Sequence, residues 1–216
     1  LTYAQVADLP EVPDLAVICT PPDTVPGIIE EIAERGTRAA IILTAGLNRK
    51  VDGADETLQD KILATARGVG LRILGPNCLG LLVPGIGLNA SFTHLPALPG
   101  NIAFASQSGA MCTAVLDWAR ARGIGFSHFI SMGDAMDTDF GDVLDYLGSD
   151  PHTRAILLYV ESIHERREFM SAGRAAARNK PVLVIKAGRS SAGAQAAASH
   201  TGALAGADAV YDAAFR

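Results

Sequence analysis

A doubly wound α/β fold is predicted by three observations. Short apolar runs alternate with longer amphipathic stretches along most of the chain. Hydrophobic residues fill 49% of the 216 positions and charged residues 19%, a balance that suits parallel strands buried under helices on both faces. Residues 84–100, with prolines at 84, 96 and 99 and glycines at 85, 87 and 100, interrupt the alternation, which then starts again. The length admits one large or two modest domains, and this connector favours two.

Residues 14–19 read as a buried strand, which Thr20-Pro21-Pro22-Asp23 breaks before a helix over about 24–35. Residues 39–43 form the next strand, followed by a turn at Thr44-Ala45-Gly46 and a helix over about 56–67. A strand at 71–74 leads into the turn Gly75-Pro76-Asn77-Cys78-Leu79-Gly80 and completes a βαβαβ pattern. Beyond the connector, strands are predicted at 101–105, 125–130, 155–160 and 181–186. Helices are predicted between them at 109–122, 140–147 and 165–179. Residues 187–199 are rich in Ala, Gly and Ser and read as a loop or a loose helix, and 207–215 as a helix. Both ends look cut, and an earlier βα unit is expected to be missing.

The net charge of −5 and the lack of a basic stripe with interleaved aromatics argue against nucleic acid as a partner. No apolar run reaches the length of a membrane span and no signal segment opens the chain, so a cytoplasmic protein without a membrane role is expected. Cys19, Cys78 and Cys112 are widely spaced and read as small buried apolar residues of a reducing compartment. The five histidines lack metal-ligand spacing, and no protein-ligated metal is expected. GxxxxGK[ST] and GxGxxG are both absent, so any nucleotide is expected to be held by another domain.

The candidate chemistry lies where parallel strands end. His200, in Ser199-His200-Thr201-Gly202, is an imidazole on a loop of small residues, with room for a phosphoryl group and backbone N–H groups to hold it. Ser106-Gln107-Ser108-Gly109 opens a helix after a strand; it reads equally as a phosphate cradle or an ordinary N-cap. Glu161 directly follows a strand and either supports an imidazole or caps the next helix. Lys186 and Arg189 read as a phosphate-neutralising pair or a solvated one. Asp134, Asp137, Asp139 and Asp142 lack a regular metal-ligand spacing and read as a solvated acidic loop rather than a magnesium site.

The strings CTPP, GPNCLG, SQSGAM, LLYVESI, KAGRS and SHTGALAG, in this order and at these intervals, resemble the NDP-forming acyl-CoA synthetase superfamily, relatives of the succinyl-CoA synthetase alpha subunit. The resemblance implies a partial Rossmann-like CoA-binding domain with its linker over residues 1–97. A flavodoxin-like doubly wound domain over 98–216 would follow. It implies a phosphorylated histidine at His200 supported by Glu161, and phosphate held by Ser108, Gly109 and Gly202. Asn77 and Cys78 match the turn lining the thiol end of coenzyme A, and Thr20, Pro21 and Pro22 a strand-end loop beside it. The implied reaction relays phosphate from an acyl phosphate, made from acyl-CoA and inorganic phosphate, through the histidine to ADP. The reverse direction consumes ATP and a carboxylate. ATP or ADP and Mg2+ would be held by an ATP-grasp domain or subunit outside this chain, in a homo- or hetero-oligomer. The 216 residues alone are expected not to turn over. The same module also occurs fused to GNAT lysine acetyltransferases, where it senses acyl-CoA, and that remains the alternative.

Overall fold

The computed structural model describes residues 2–51, 53 and 55–188. Helix α1 (Val25–Arg35) and helix α2 (Leu58–Val69) lie between three short strands, β1 (Leu15–Ile18), β2 (Ala39–Ile42) and β3 (Arg72–Leu74). The strands form a parallel sheet in the order β1-β2-β3. The start of α2 is fixed by a capping box: the Thr57 side chain accepts from the Asp60 N–H, and the Asp60 carboxylate accepts from the Thr57 N–H at 2.9 Å. Such a cap contributes about 1 kcal/mol. Ile18, Ile29, Ile42, Ile62 and Ile73 form the core of this layer, with Leu47 of the long β2–α2 loop buried among them.

Six strands make the second sheet, in the order β5-β4-β7-β6-β8-β9. They are β4 (Gly80–Val83), β5 (Leu88–Ser91), β6 (Pro99–Ser106), β7 (Phe126–Ser131), β8 (Ala155–Val160) and β9 (Val182–Lys186). The four from β6 to β9 run parallel, connected by α3 (Gly109–Arg120), α4 (Phe140–Ser149) and α5 (Arg166–Asn179). Helix α3 covers the sheet face carrying Phe104 and Phe129, whose rings lie 5.2 Å apart. The opposite face, with Ala103, Ala105, Ile156 and Leu158, packs against α4 and α5. Chains leaving β6 and β8, which are neighbours in the sheet, therefore turn to opposite faces. The gap between their carboxyl ends is the kind of switch point where open α/β sheets bind ligands.

The connector expected at residues 84–100 is instead partly sheet. Strands β4 and β5 form an antiparallel hairpin whose turn is Pro84–Ile86 with Gly87, and β4 pairs with β7. The prolines and glycines that suggested a linker mark this turn and the entry to β6, where Pro99 and Gly100 already belong to the strand. Pro84 lies just beyond the end of β4 and Pro99 is the first residue of β6, both compatible with sheet, while Pro96 lies in the loop between β5 and β6.

Candidate active site

The turn after β3 and the loop after β7 join the two sheets. Main-chain N–H groups of Asp134, Met136 and Thr138 donate to the carbonyls of Pro76, Gly75 and Ile73, at 2.9, 3.1 and 3.1 Å. Gly133 has φ +56°, and a Cβ there would lie 2.1 Å from the Pro76 carbonyl oxygen, so only glycine permits this approach. The Asp137 carboxylate accepts from the Arg72 guanidinium at 3.0 Å and from the Ile73 N–H at 2.8 Å. Asp142 takes a second Arg72 donor at 3.0 Å. Asp139 caps α4, accepting from the Gly141 N–H at 2.6 Å, and Asp134 accepts from the Asn77 amide at 3.0 Å. The acidic loop expected to be merely solvated is thus the joint between the sheets, its four carboxylates each engaged by a donor.

Over this joint lies a cleft of about 590 Å³. Leu43, Gly46, Asn48, Gln59, Asn77 and Cys78 line it from the first sheet's side; Leu79, Phe92, Gln107, Ser108, Gly109, Ala110, Gly133, Asp134, Glu161, Ser162 and His164 complete it. Five of the residues singled out from sequence, Asn77, Cys78, Ser108, Gly109 and Glu161, meet here although loops far apart in the chain supply them. Thr20, Pro21 and Pro22 do not line this cleft. They follow β1 at the same sheet's edge, where the Thr44 hydroxyl donates to the Thr20 carbonyl at 2.7 Å. His200, Gly202 and Arg189, with the helix expected at 207–215, lie outside the described residues.

Each group is held by its element. Ser108 is the N-cap of α3, its hydroxyl accepting from the Met111 N–H at 3.3 Å. The Ser106 hydroxyl accepts from the Ser108 N–H and donates to the Ser108 carbonyl, both at 3.0 Å. Cap and cradle are compatible, because the next N–H groups of a helix have no intrahelical acceptor and carry its positive end. A Cβ at Gly109 would rest 3.5 Å from the Leu79 side chain, an ordinary contact, so space in the cleft rather than steric necessity distinguishes this glycine. Cys78 is buried with its Sγ 3.4 Å from the Ile42 carbonyl oxygen, and burial pushes the thiol up to about 12. It stays protonated near neutral pH, a lining group rather than a nucleophile. Cys112 is buried as expected, but Cys19 is exposed.

Glu161 leaves β8 as the strand ladder ends. Its N–H donates to the Gln107 side-chain oxygen at 2.8 Å, and its carbonyl accepts from the Lys186 ammonium at 2.9 Å. Helix α5 begins at Arg166 with Glu165 as its N-cap residue, and Glu161 lines the cleft instead. Lys186 also donates to the Ala187 carbonyl at 2.6 Å, so its ammonium ties the residue after β8 to the residue after β9. Sequence reasoning gave no role of their own to Gln107 or Ser162 and read Asp134 as solvated, although all three line the cleft. Only Gln107 had a visible signal, its place between a strand and a helix cap. Among the described residues no three His, Cys, Asp or Glu side chains converge to hold a metal ion, and no helix is long and apolar enough to cross a membrane.

Residues 99–216 match the succinyl-CoA ligase like flavodoxin domain, and residues 1–84 a CoA binding domain. An ADP-forming acetate–CoA ligase I of Archaeoglobus fulgidus is 42% identical over 99% of this chain and 31% of its own length. The alpha subunit of ADP-forming acetate–CoA ligase I of Pyrococcus furiosus is 41% identical over 99% of this chain and 46% of its own. The chain thus spans about a third to a half of the relatives it matches. A solved acetyl-coenzyme A synthetase 1 of Ca. Korarchaeum cryptofilum, in complex with phosphate and ADP, superposes with a TM-score of 0.90 at 40% identity, over 99% of this chain and 46% of that one. Two domain matches and these relatives show that the chain belongs to the NDP-forming acyl-CoA synthetase superfamily.

Proposed function

We propose that this chain is the acyl-CoA-handling and phosphate-handling part of an ADP-forming acyl-CoA synthetase that relays phosphate through His200. Inorganic phosphate attacks the thioester carbonyl of acyl-CoA, the C–S bond breaks, and CoA thiol and an acyl phosphate result. An imidazole nitrogen of His200 then takes the phosphoryl group, releasing the carboxylate, and ADP held by an ATP-grasp domain or subunit with Mg2+ receives it to give ATP. Synthesis of acyl-CoA reverses each step. Splitting the transfer at a covalent intermediate replaces one hard displacement by two easier ones.

The observation that carries this reading is the meeting of Asn77, Cys78, Ser108, Gly109 and Glu161 in one cleft. The apolar side chains of Leu43, Cys78, Leu79 and Phe92 suit the thiol arm of CoA, and the start of α3 suits a phosphoryl group. Glu161 would hold the imidazole in one tautomer and stabilise its positive charge. Gly202 would add a backbone N–H to the phosphoryl group, and Thr20, Pro21 and Pro22 would flank CoA further along the first sheet's edge. The division proposed between residues 97 and 98 separates these roles along the chain, although β4 and β5, which precede it, pair into the six-stranded sheet. Reduced cysteines and CoA chemistry fit a cytoplasmic location.

The test uses the full-length protein with its nucleotide-binding partner, incubated with labelled ATP and Mg2+. Acid-labile, base-stable label is expected on the wild type and none on His200→Ala. Equal labelling of both would refute the relay.

A further inference from the structure

We infer that Gln107, acting with Lys186, is the positioning residue that clamps Glu161 and ties it to the phosphate-binding start of α3. The inference rests on the relay reading. The parallel ladder between β6 and β8 ends with Ser106 opposite Tyr159, so the N–H groups of Glu161 and Ser162 lie beyond its last rung. Both are taken by one atom: the Gln107 Oε1 accepts from Glu161 at 2.8 Å and from Ser162 at 3.0 Å. A carbonyl oxygen has two lone pairs, which suits this double role. The other half of the Gln107 amide donates toward the Ser162 hydroxyl at 3.4 Å, and the Gln107 N–H donates to the Tyr159 carbonyl at 3.3 Å.

The peptide on the far side of Glu161 is held from β9, where the Lys186 ammonium donates to the Glu161 carbonyl at 2.9 Å. Glu161 is thus fixed through both of its peptides by a side chain of β9 and by that of the residue just after β6. Gln107 also immediately precedes Ser108, the N-cap of α3. The group expected to support the imidazole and the group expected to hold the phosphoryl are therefore mechanically one unit. A displacement of about 1 Å in such an arrangement can cost about 10²-fold in rate. Asparagine is a methylene too short for this span, alanine offers no acceptor, and glutamate retains one.

The test measures single-turnover labelling by ATP of the full-length protein with its nucleotide-binding partner. His200→Ala is run alongside; label persisting there would refute the relay itself, whatever Gln107 does. With His200 established as the acceptor, Gln107→Ala is expected to label at least tenfold more slowly at an unchanged half-saturating ATP concentration. Gln107→Glu is expected to recover to within about threefold of wild type. Its added carboxylate should also move the acid limb of the pH–rate profile to higher pH, a readout that loosened packing would not give. Wild-type labelling by Gln107→Ala, or a Gln107→Glu as slow as Gln107→Ala, would overturn the clamp. Should Gln107→Ala fail to fold, Lys186→Met removes the carbonyl side and is expected to slow labelling at least threefold; an unchanged rate would overturn it equally.

Discussion

The two sheets contribute to the cleft in different currencies. The three-stranded sheet supplies apolar surface and a tight turn, with Leu43 and Cys78 at the ends of loops held largely by main-chain hydrogen bonds. The six-stranded sheet supplies a helix N-terminus and a carboxylate, Ser108 and Glu161, braced by side chains from neighbouring strands. Under the proposed function the first region would receive the thiol arm of CoA, with Leu79 and Phe92 beside the hairpin of the second sheet adding apolar surface, and the second would hold the reacting atoms still. Between them the loop after β7 welds the sheets, so in the proposed reaction the thiol end of CoA and the phosphoryl group would meet at a fixed separation.

Changes confined to one region should separate these roles. The largest effect is expected for Glu161→Gln, which keeps the shape of the second sheet's site but removes its charge. Labelling of His200 should fall by about 10²-fold or more, while CoA affinity measured by calorimetry should change little. Equal loss of both would merge the two roles. Gly133→Val strikes the weld, because its Cβ would overlap the Pro76 carbonyl and its φ is positive. A loss of about 3 kcal/mol is expected in denaturant unfolding, together with weaker CoA binding.

A smaller effect concerns the second sheet alone and has a sign. Burial pushes His128 below the usual histidine range, and its ring lies beside Asp150 and Tyr146 under α4. The folded state therefore favours the neutral ring. Stability is complete above the unfolded value of about 6.5 and declines as pH falls below it, since the unfolded chain binds the proton more readily. Asp150 gives a second window. Burial pushes its carboxyl up, but hydrogen bonds from the Thr153 hydroxyl and the His152 N–H and the neighbouring histidines outweigh it and hold the group below the usual range. Its contribution is lost only in more acidic solution, below about pH 4. Denaturant midpoints measured against pH should show the first decline flattened in His128→Gln. The smallest change in stability is expected for Gly109→Ala, whose methyl meets Leu79 at ordinary distance. Stability should shift by less than about 1 kcal/mol. The labelling rate should nonetheless fall several-fold, because the methyl narrows the place proposed for phosphate.

Much of this arrangement was legible in the sequence. Apolar runs gave β6 through β9 and their helices within a few residues, because strands buried on both faces carry continuous hydrophobic stretches. Glu161 and Ser108 stood out because they follow such runs, whereas Cys78 reached the site only through the resemblance carried by GPNCLG. The β4–β5 hairpin was hidden, since four-residue strands interrupted by Pro84-Gly85 resemble a linker as closely as a turn. The acidic loop was misread because its donors, Arg72, Ile73 and Asn77, lie some sixty residues earlier in the chain, where only the folded joint brings them close. Gln107 was overlooked for a related reason: its two acceptor contacts are to backbone beyond a neighbouring strand, and no local spacing encodes them.

The relay is tested most directly by where the phosphoryl group goes when it leaves the protein. Full-length protein labelled by ATP, freed of nucleotide, is mixed with a short carboxylate such as acetate in the absence of CoA. The account predicts that label moves from His200 to a hydroxylamine-sensitive acyl phosphate, at a rate cut sharply in Glu161→Gln. Label that stays on the protein until ADP is restored, with no acyl phosphate formed, would contradict it.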